Sequence, residues 1–205
     1  FYYFEQIAAI PHGSRNTKAI SDYLVNFAKE HNLVWYQDEN NNVVIVKEAS
    51  AGYEAAEPII IQGHMDMVCE KEKGVDIDFE KDGLKLYIDG DFLKAEGTTL
   101  GGDDGIAVAY ALALLDSQEI AHPKLEVVIT VDEEIGMLGA EAIDLSMLTG
   151  HTMLNIDSDV EGSFLTGCAG GMAVNVTLPI KRVMQSGEKV ALTITGLEGG
   201  HSGSE

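Results

Sequence analysis

The chain is poor in basic residues and in long apolar segments. Its 205 residues include 13 Lys and Arg against 34 Asp and Glu, which gives a formal net charge of -21. Because nucleic-acid binding depends largely on cationic contacts to phosphates, this balance argues against DNA or RNA as a partner. No apolar run approaches the ~20 residues of a membrane-spanning helix, and the first residues do not resemble a signal peptide. We therefore expect no membrane partner.

Cysteine is equally scarce. Only Cys69 and Cys168 are present, far apart and outside any C-x-x-C pair, so neither a disulfide framework nor a structural zinc knuckle is indicated. We expect free thiols and a cytoplasmic location. With 45% hydrophobic residues, the chain can nevertheless bury a sizeable core.

The apolar pattern predicts strands that alternate with helices. Between Asn16, a candidate N-cap, and Asn32, apolar residues recur at the i, i+3 and i+4 spacing of one helical face, which predicts a helix. Residues 105–115 are nearly all apolar and predict a buried helix. Strands are predicted at residues 34–37, 43–47, 59–61, 84–88, 92–95, 125–131 and 152–156. The last two are short apolar runs typical of a sheet covered on both faces, so we expect a three-layer α/β domain.

The sequence changes character after Asp157. Residues 166–171 are small and glycine-rich, and alternating apolar runs follow at 172–178 and 190–195. We expect a domain boundary near Gly170, with residues 1–170 in the main domain and 171–205 at the start of a second one. Because two strands alone are marginal in water, the second segment is expected to belong to a larger α+β domain.

Acidic and histidine side chains follow the ends of the apolar segments. They are His64 and Asp66 after residues 59–61, Asp103 before the buried helix, Glu133 and Glu134 after 125–131, and Asp157 after 152–156. In open α/β sheets the functional crevice lies outside the carboxyl ends of the strands, so these groups are expected to converge. One imidazole with several carboxylates suits a divalent metal, zinc before others, with open positions for water and substrate.

A dinuclear hydrolytic site would use these side chains in distinct roles. His64 and Asp157 would be terminal ligands of one metal. Asp103 would bridge the two metals, and Glu134 would be a terminal ligand of the second.

Two acids remain for other tasks. Neighbouring side chains in an extended segment point to opposite sides, so Glu134 can bind metal while Glu133 faces the water as general base. Asp66 would orient His64 from behind, as carboxylates often do for metal-bound imidazoles.

Each motif taken singly has an ordinary structural explanation. An H-x-D after a strand is often a satisfied polar strand end, and a Glu pair is often a solvated helix start. Residues 101–105 could form a turn, a helix cap or an anion-binding loop, and Asp157 could cap a turn. Their joint order favours the metal site. The remaining histidines, in polar or turn-like contexts, are expected at the surface: His12, His31, His122 and His151.

In this order the motifs resemble the family of dinuclear-zinc peptidases, aminoacylases and deacylases, and within it the branch that cleaves dipeptides ending in His. The resemblance rests on five segments: GHMDMVC at 63–69, GTTLGGDDG at 97–105, DEEIGM at 132–137, LNIDS at 154–158 and GGHSG at 199–203.

The resemblance implies metal-dependent hydrolysis of dipeptides with two zinc ions, for which cobalt or manganese could substitute. His64, Asp103, Glu134 and Asp157 match family metal ligands. Glu133 matches the general base and Asp66 the residue behind the His. His201 matches a histidine of the family's lid domain that contacts the substrate or the developing oxyanion.

It also implies features of a longer protein. The segment 171–205 would begin a lid or dimerisation-type domain, so a homodimer is expected of the full-length protein. The family's final zinc ligand is a His near the C-terminus of a longer chain. We therefore expect residues 1–205 alone to be inactive.

Three alternatives remain. Another reaction of the same family, tripeptide trimming or N-acyl amino-acid deacylation, would use the same site. A non-catalytic metal-binding protein could share the fold, although it would not need Glu133. A nucleotide-binding module built on residues 101–105 should carry a Lys there, and none is present.

Overall fold

A computed structural model of the chain describes residues 1–158, 160–167, 174–184, 186–193 and 195. Its helices are α1 (Tyr2–Ala8), α2 (Lys18–Glu30), α3 (Gly102–Asp116) and α4 (Leu138–Ala142). Its strands are β1 (Val34–Gln37), β2 (Val43–Lys47), β3 (Ile59–His64), β4 (Leu86–Asp89), β5 (Phe92–Ala95), β6 (Leu125–Thr130) and β7 (Thr152–Asn155).

Five of the strands form one mixed sheet in the order β1-β2-β6-β3-β7, and β4 and β5 form a separate hairpin. Strand β2 is antiparallel to β1 and β6, whereas β3 is parallel to both β6 and β7. The carboxyl ends of β3, β6 and β7 therefore lie at the same edge of the sheet. The segments that follow these three ends carry the predicted site residues.

Helices α1, α2 and α3 cover one face of the sheet. Its core includes Ile45, Ile61 and Val127 from the strands, Leu24 from α2 and Leu112 from α3, all buried. The predicted helix in the region 16–32 is confirmed, although it begins after Thr17 rather than Asn16. These contacts supply most of the hydrophobic burial that stabilises the sheet.

The opposite face carries a smaller apolar cluster. Val44, Val46, Ile60 and Val128 pack against Ile143, Met147 and Leu148 of the segment after α4. With elements on both faces, the predicted three-layer α/β architecture is confirmed. The prediction that β7 is covered on both faces is wrong, because all four of its residues are exposed. Among the described strands β7 pairs with β3 alone, at the edge of the sheet.

A buried carboxylate anchors the segment before β7. Glu126 is fully buried and accepts hydrogen bonds from the amide and hydroxyl of Thr149 and from the amide of Gly150, at 2.6 to 3.0 Å. Lys124 lies 2.9 Å away. Burial alone would raise the pKa of Glu126, but these donors lower it to about 2. The ionised carboxylate thus ties the start of β7 to β6.

The chain separates into two compact units, Phe1–Asp159 and Val160–Glu205. The predicted boundary near Gly170 lies outside the described residues. Where residues 172–178 and 190–195 are described, they have no strand conformation, and Val176 and Leu192 are largely exposed. A strand is stable only with hydrogen-bonding partners, which this described part lacks.

Across the described ranges, no helix has the length and apolar character that crossing a membrane requires.

Candidate metal centre

His64 ends β3 and is almost fully buried beside the first turn of α3. A Cβ atom on Gly63 would lie 2.6 Å from Oδ2 of Asp104 and 2.8 Å from Cβ of Ala107, so glycine permits this close approach. Asp104 accepts the backbone amide of His64 at 3.2 Å. Asp103 and Asp104 have non-helical backbone angles. The start of α3 therefore presents Asp103 to the imidazole.

Three carboxylates surround Nε2 of His64. Oδ1 of Asp103 lies at 3.0 Å, Oδ2 of Asp157 at 3.8 Å and Oε2 of Glu133 at 3.9 Å. The ligand atoms form two groups, each within 4.8 Å: His64 with Glu133 and Asp157, and His64 with Asp103 and Glu134. The structure thus brings together the four residues predicted as metal ligands and the residue predicted as general base.

These spacings fit a shared divalent cation. Two ligand atoms bound to one tetrahedral zinc at ~2.1 Å lie about 3.4 Å apart, and the distances from Nε2 to its neighbours bracket that value. Four carboxylates against one imidazole are also a hard, anionic donor set. Both groups could therefore hold a metal ion.

The acids of the site lie close enough together to repel one another, and their pKa values reflect this. Burial and the charges of neighbouring carboxylates raise the pKa of Glu133 and of Glu134. Burial raises the pKa of Asp104 to about 7, with smaller contributions from the other acids. Burial opposes protonation of His64, yet the hydrogen bond and charge of Asp66 dominate and raise its pKa to about 10. The site carries excess negative charge, which a bound cation would relieve.

Asp66 lies behind the imidazole as predicted, and contacts it twice. Nδ1 of His64 donates to the backbone carbonyl of Asp66 at 2.9 Å, and the Asp66 carboxylate is 3.5 Å away. Ser14 donates its hydroxyl to Oδ2 of Asp66 at 2.8 Å, and the Glu133 amide donates to Oδ1 at 3.0 Å. Burial opposes ionisation, but the interaction with His64 and the hydrogen bonds from Ser14 and Glu133 lower the pKa of Asp66. Asp66 therefore remains a carboxylate.

The segment that carries the two glutamates is a turn and not the extended chain that we expected. Asp132 has a φ of 54°, and the amides of Gly136 and Met137 both donate to the carbonyl of Glu133. Glu133 and Glu134 consequently both reach the cluster around His64. The alternation rule applies only to extended backbone, so it does not decide where these two side chains point.

Sequence reasoning missed Ser14 and Asp104, and it placed two histidines wrongly. His12 and His122 are 5% and 6% exposed rather than at the surface. Their Nδ1 atoms contact the carbonyls of Ile10 and Pro123 at 2.6 and 2.7 Å, partners that a turn-like sequence does not reveal. The sequence offered one signal for Asp104, which is its position directly before the apolar residues of the helix predicted at 105–115.

Two predicted residues lie outside the described part of the chain: His201, the candidate substrate contact, and Cys168. Cys69 is a free, half-buried thiol. Burial and the nearby acids raise its pKa.

Residues 60–193 match Peptidase family M20/M25/M40. The chain belongs to this family. The M20/M25/M40 assignment confirms the resemblance to a peptidase family that the motifs suggested. It also agrees with a sheet whose strand ends gather histidine and carboxylates.

The chain is also similar to individual peptidases. The chain is 42% identical over 204 residues to the cytosol non-specific dipeptidase of Escherichia coli K12, covering 98% of this chain and 42% of the relative. The structure of aminoacylhistidine dipeptidase from Vibrio alginolyticus superposes with a TM-score of 0.76 at 42% identity, over 78% of this chain and 33% of that one. A Staphylococcus aureus tripeptidase shares the fold, with a TM-score of 0.65 at 23% identity over 78% of this chain and 43% of that one.

The chain thus spans less than half the length of each of these relatives. Members of this peptidase family are typically metal-dependent, and the two donor groups around His64 accord with that property.

Proposed function

We propose that the full-length protein is a cytoplasmic zinc dipeptidase that cleaves dipeptides, Xaa-His dipeptides among them, as aminoacyl-histidine dipeptidase (peptidase D) does. The observation that carries the proposal is the pair of donor groups that share His64. The names of the E. coli and Vibrio relatives support the substrate class and the location.

The roles proposed for these side chains are those that the family resemblance implies. His64 and Asp157 are terminal ligands of one zinc, Asp103 bridges to a second zinc, and Glu134 is a terminal ligand of that second ion. The distance of 3.0 Å between Asp103 and the imidazole supports the bridge. Cobalt or manganese would serve as substitutes, since all three suit mixed nitrogen and oxygen ligands.

Bound zinc would supply a water of lowered pKa and polarise the scissile carbonyl. Glu133 would take the proton of the attacking water and deliver it to the leaving amine. Its side chain is one-third exposed, so it can reach a substrate, and its raised pKa makes it a stronger base toward the attacking water. Asp66 would hold the imidazole in place through both Nδ1 contacts.

The segment 171–205 and His201 enter the proposal through the family resemblance. We propose that the segment begins a lid or dimerisation-type domain, and that His201 contacts the substrate. A homodimer of the full-length protein belongs to the same proposal.

The test is an assay of the full-length, zinc-loaded protein on dipeptides with and without a C-terminal His, tripeptides and N-acyl amino acids. We expect cleavage of dipeptides, loss of activity with a chelator and recovery with zinc or cobalt. Greater activity on tripeptides or N-acyl amino acids would assign another family reaction. No hydrolysis of any substrate by metal-loaded protein would favour a non-catalytic metal-binding role.

A further inference from the structure

The loop between α1 and α2 contacts two of the chain segments that carry site residues, the one after β3 and the one after β6. The amide of Met67, three residues after His64, donates to the carbonyl of His12 at 3.2 Å. The amide of Arg15 donates to Oδ1 of Asp132, directly before Glu133, at 2.6 Å. The loop therefore ties the end of β3 to the turn after β6.

Ser14 lies between these two contacts and reaches the buried carboxylate of Asp66. The Asp66 side chain is fully buried, and each oxygen has one donor from outside its own segment. Oδ2 accepts the hydroxyl of Ser14 at 2.8 Å, and Oδ1 accepts the amide of Glu133 at 3.0 Å. Oδ1 is also the oxygen that lies 3.5 Å from Nδ1 of His64.

This arrangement fixes the rotation of the carboxylate about its terminal bond, a rotation that is otherwise broad. Without the hydroxyl, Oδ2 would be a buried anionic oxygen lacking that donor, which is costly. The carboxylate would turn to find another partner, and Oδ1 would leave its position between the Glu133 amide and the imidazole. The orientation of a metal-binding His and the position of the Glu133 backbone would both loosen.

We propose that Ser14 is a positioning residue of the metal centre, whose hydroxyl fixes the Asp66 carboxylate and through it the imidazole of His64 and the backbone of Glu133. The inference rests on the proposed metal-dependent function. Loss of a partner behind a metal ligand typically costs about 10- to 100-fold in metal affinity or activity.

The experiment uses the full-length protein and four variants. Ser14→Ala deletes the hydroxyl, while Ser14→Thr and Ser14→Val form a pair of similar shape that differs in the hydroxyl. Ser21→Ala is the matched control, because Ser21 is a buried serine that donates its hydroxyl, at 2.7 Å, to the backbone carbonyl of Asn41, which is not a residue of the site. Zinc affinity is measured by competition with a chromogenic chelator, and the visible spectrum of the cobalt-loaded protein reports ligand geometry.

We expect Ser14→Ala and Ser14→Val to bind zinc about tenfold more weakly or worse, with an altered cobalt spectrum. We expect kcat to fall with little change in KM, because the substrate-binding groups are untouched. Ser14→Thr should stay close to wild type, and so should Ser21→Ala. If Ser14→Ala does not fold, the comparison of threonine with valine gives the same answer.

Zinc affinity and a cobalt spectrum unchanged in Ser14→Val relative to Ser14→Thr would overturn the inference. Equal losses in Ser14→Val and Ser14→Thr would also overturn it, because the effect would then not come from the hydroxyl. Since metal binding is read without substrate, a protein that binds zinc but cleaves no dipeptide would refute the proposed function and leave the Ser14 result intact. A protein that takes up neither metal would refute both.

Discussion

Nε2 of His64 and Oδ1 of Asp103 lie 3.0 Å apart, which joins the last residue of β3 to the first turn of α3. The two side chains differ in exposure, with the imidazole 1% and the Asp103 side chain 70% exposed. Asp103 therefore presents a carboxylate on the open side of a buried ligand. A bridging ligand needs this arrangement, because it must face two ions at once.

Replacing Asp103 by Ala in the full-length protein should weaken both metal sites together. Asp103 would bridge the two ions, so its removal leaves each of them one ligand short. The measurement is zinc stoichiometry after dialysis against a weak chelator. Glu119→Ala, which changes an exposed acid outside the cluster, should leave the stoichiometry unchanged. Loss of one ion only would contradict the bridging role.

Replacing Glu133 by Gln should lower turnover by about 10² or more, because the general base is lost. Zinc content should be preserved, since the proposed ligands remain. Glu134→Gln is the informative comparison, because it alters the neighbouring acid and should reduce zinc content. Turnover is measured by release of free amino acid, and zinc content by atomic absorption. If zinc content fell in the Glu133 variant and not in the Glu134 variant, the two roles would have to be exchanged.

Replacing Glu126 by Gln should destabilise the protein and change its response to acid. The pKa of Glu126 is lowered from 4.5 to about 2, so its carboxylate contributes stability that is fully present above pH ~4.5 and lost as the pH falls toward 2. The shift corresponds to about 3 kcal/mol. Urea unfolding between pH 2 and 6 should show wild type losing stability more steeply than the variant over this range.

The control for this experiment is Glu48→Gln, because Glu48 is exposed. It should follow the wild-type curve. Parallel curves for wild type and the Glu126 variant would show that the anchor of β7 does not depend on ionisation.

Replacing Gly63 by Ala should destabilise the protein by about 1 to 3 kcal/mol, as overpacking of a filled interior does. The new methyl group would lie 2.6 Å from Asp104 and 2.8 Å from Ala107, so α3 must move from β3. That movement should also weaken zinc binding, since Asp103 moves with α3. Gly187→Ala, where a Cβ meets nothing within 4 Å, should be neutral in thermal unfolding. An unchanged melting temperature for Gly63→Ala would contradict the tight contact.

Much of the sheet could be predicted because its strands are continuous apolar runs with sharp ends. Such runs mark where β3 and β6 begin, and parallel pairing then brings His64, Glu133 and Asp157 to one edge. Burial of β7 could not be predicted from its own residues. It depends on position in the sheet, and an edge strand with an apolar sequence looks like a central one.

Other features depend on contacts between distant segments. Ser14 is an ordinary loop serine in the sequence, and its importance comes from the fold that brings it to Asp66. The turn that carries Glu133 and Glu134 follows Asp132, whose φ is positive. This conformation is uncommon for residues other than glycine, and no periodic pattern in the sequence marks it. Helix α4 has only five residues, too few for a periodic signal.

The hydrogen bond between Asp66 and the amide of Glu133 spans 67 positions of the chain. Ribosomes add about 5 to 20 residues per second, so this partner is synthesised about 3 to 13 s after Asp66. Ser14 is made 52 positions before Asp66 and is available throughout. During translation the imidazole and its supporting carboxylate therefore exist before the amide, Glu133 and Asp157 that complete their surroundings. On the proposed ligand set, the zinc site of His64 and Asp157 would be complete only after the nascent chain has extended past Asp157.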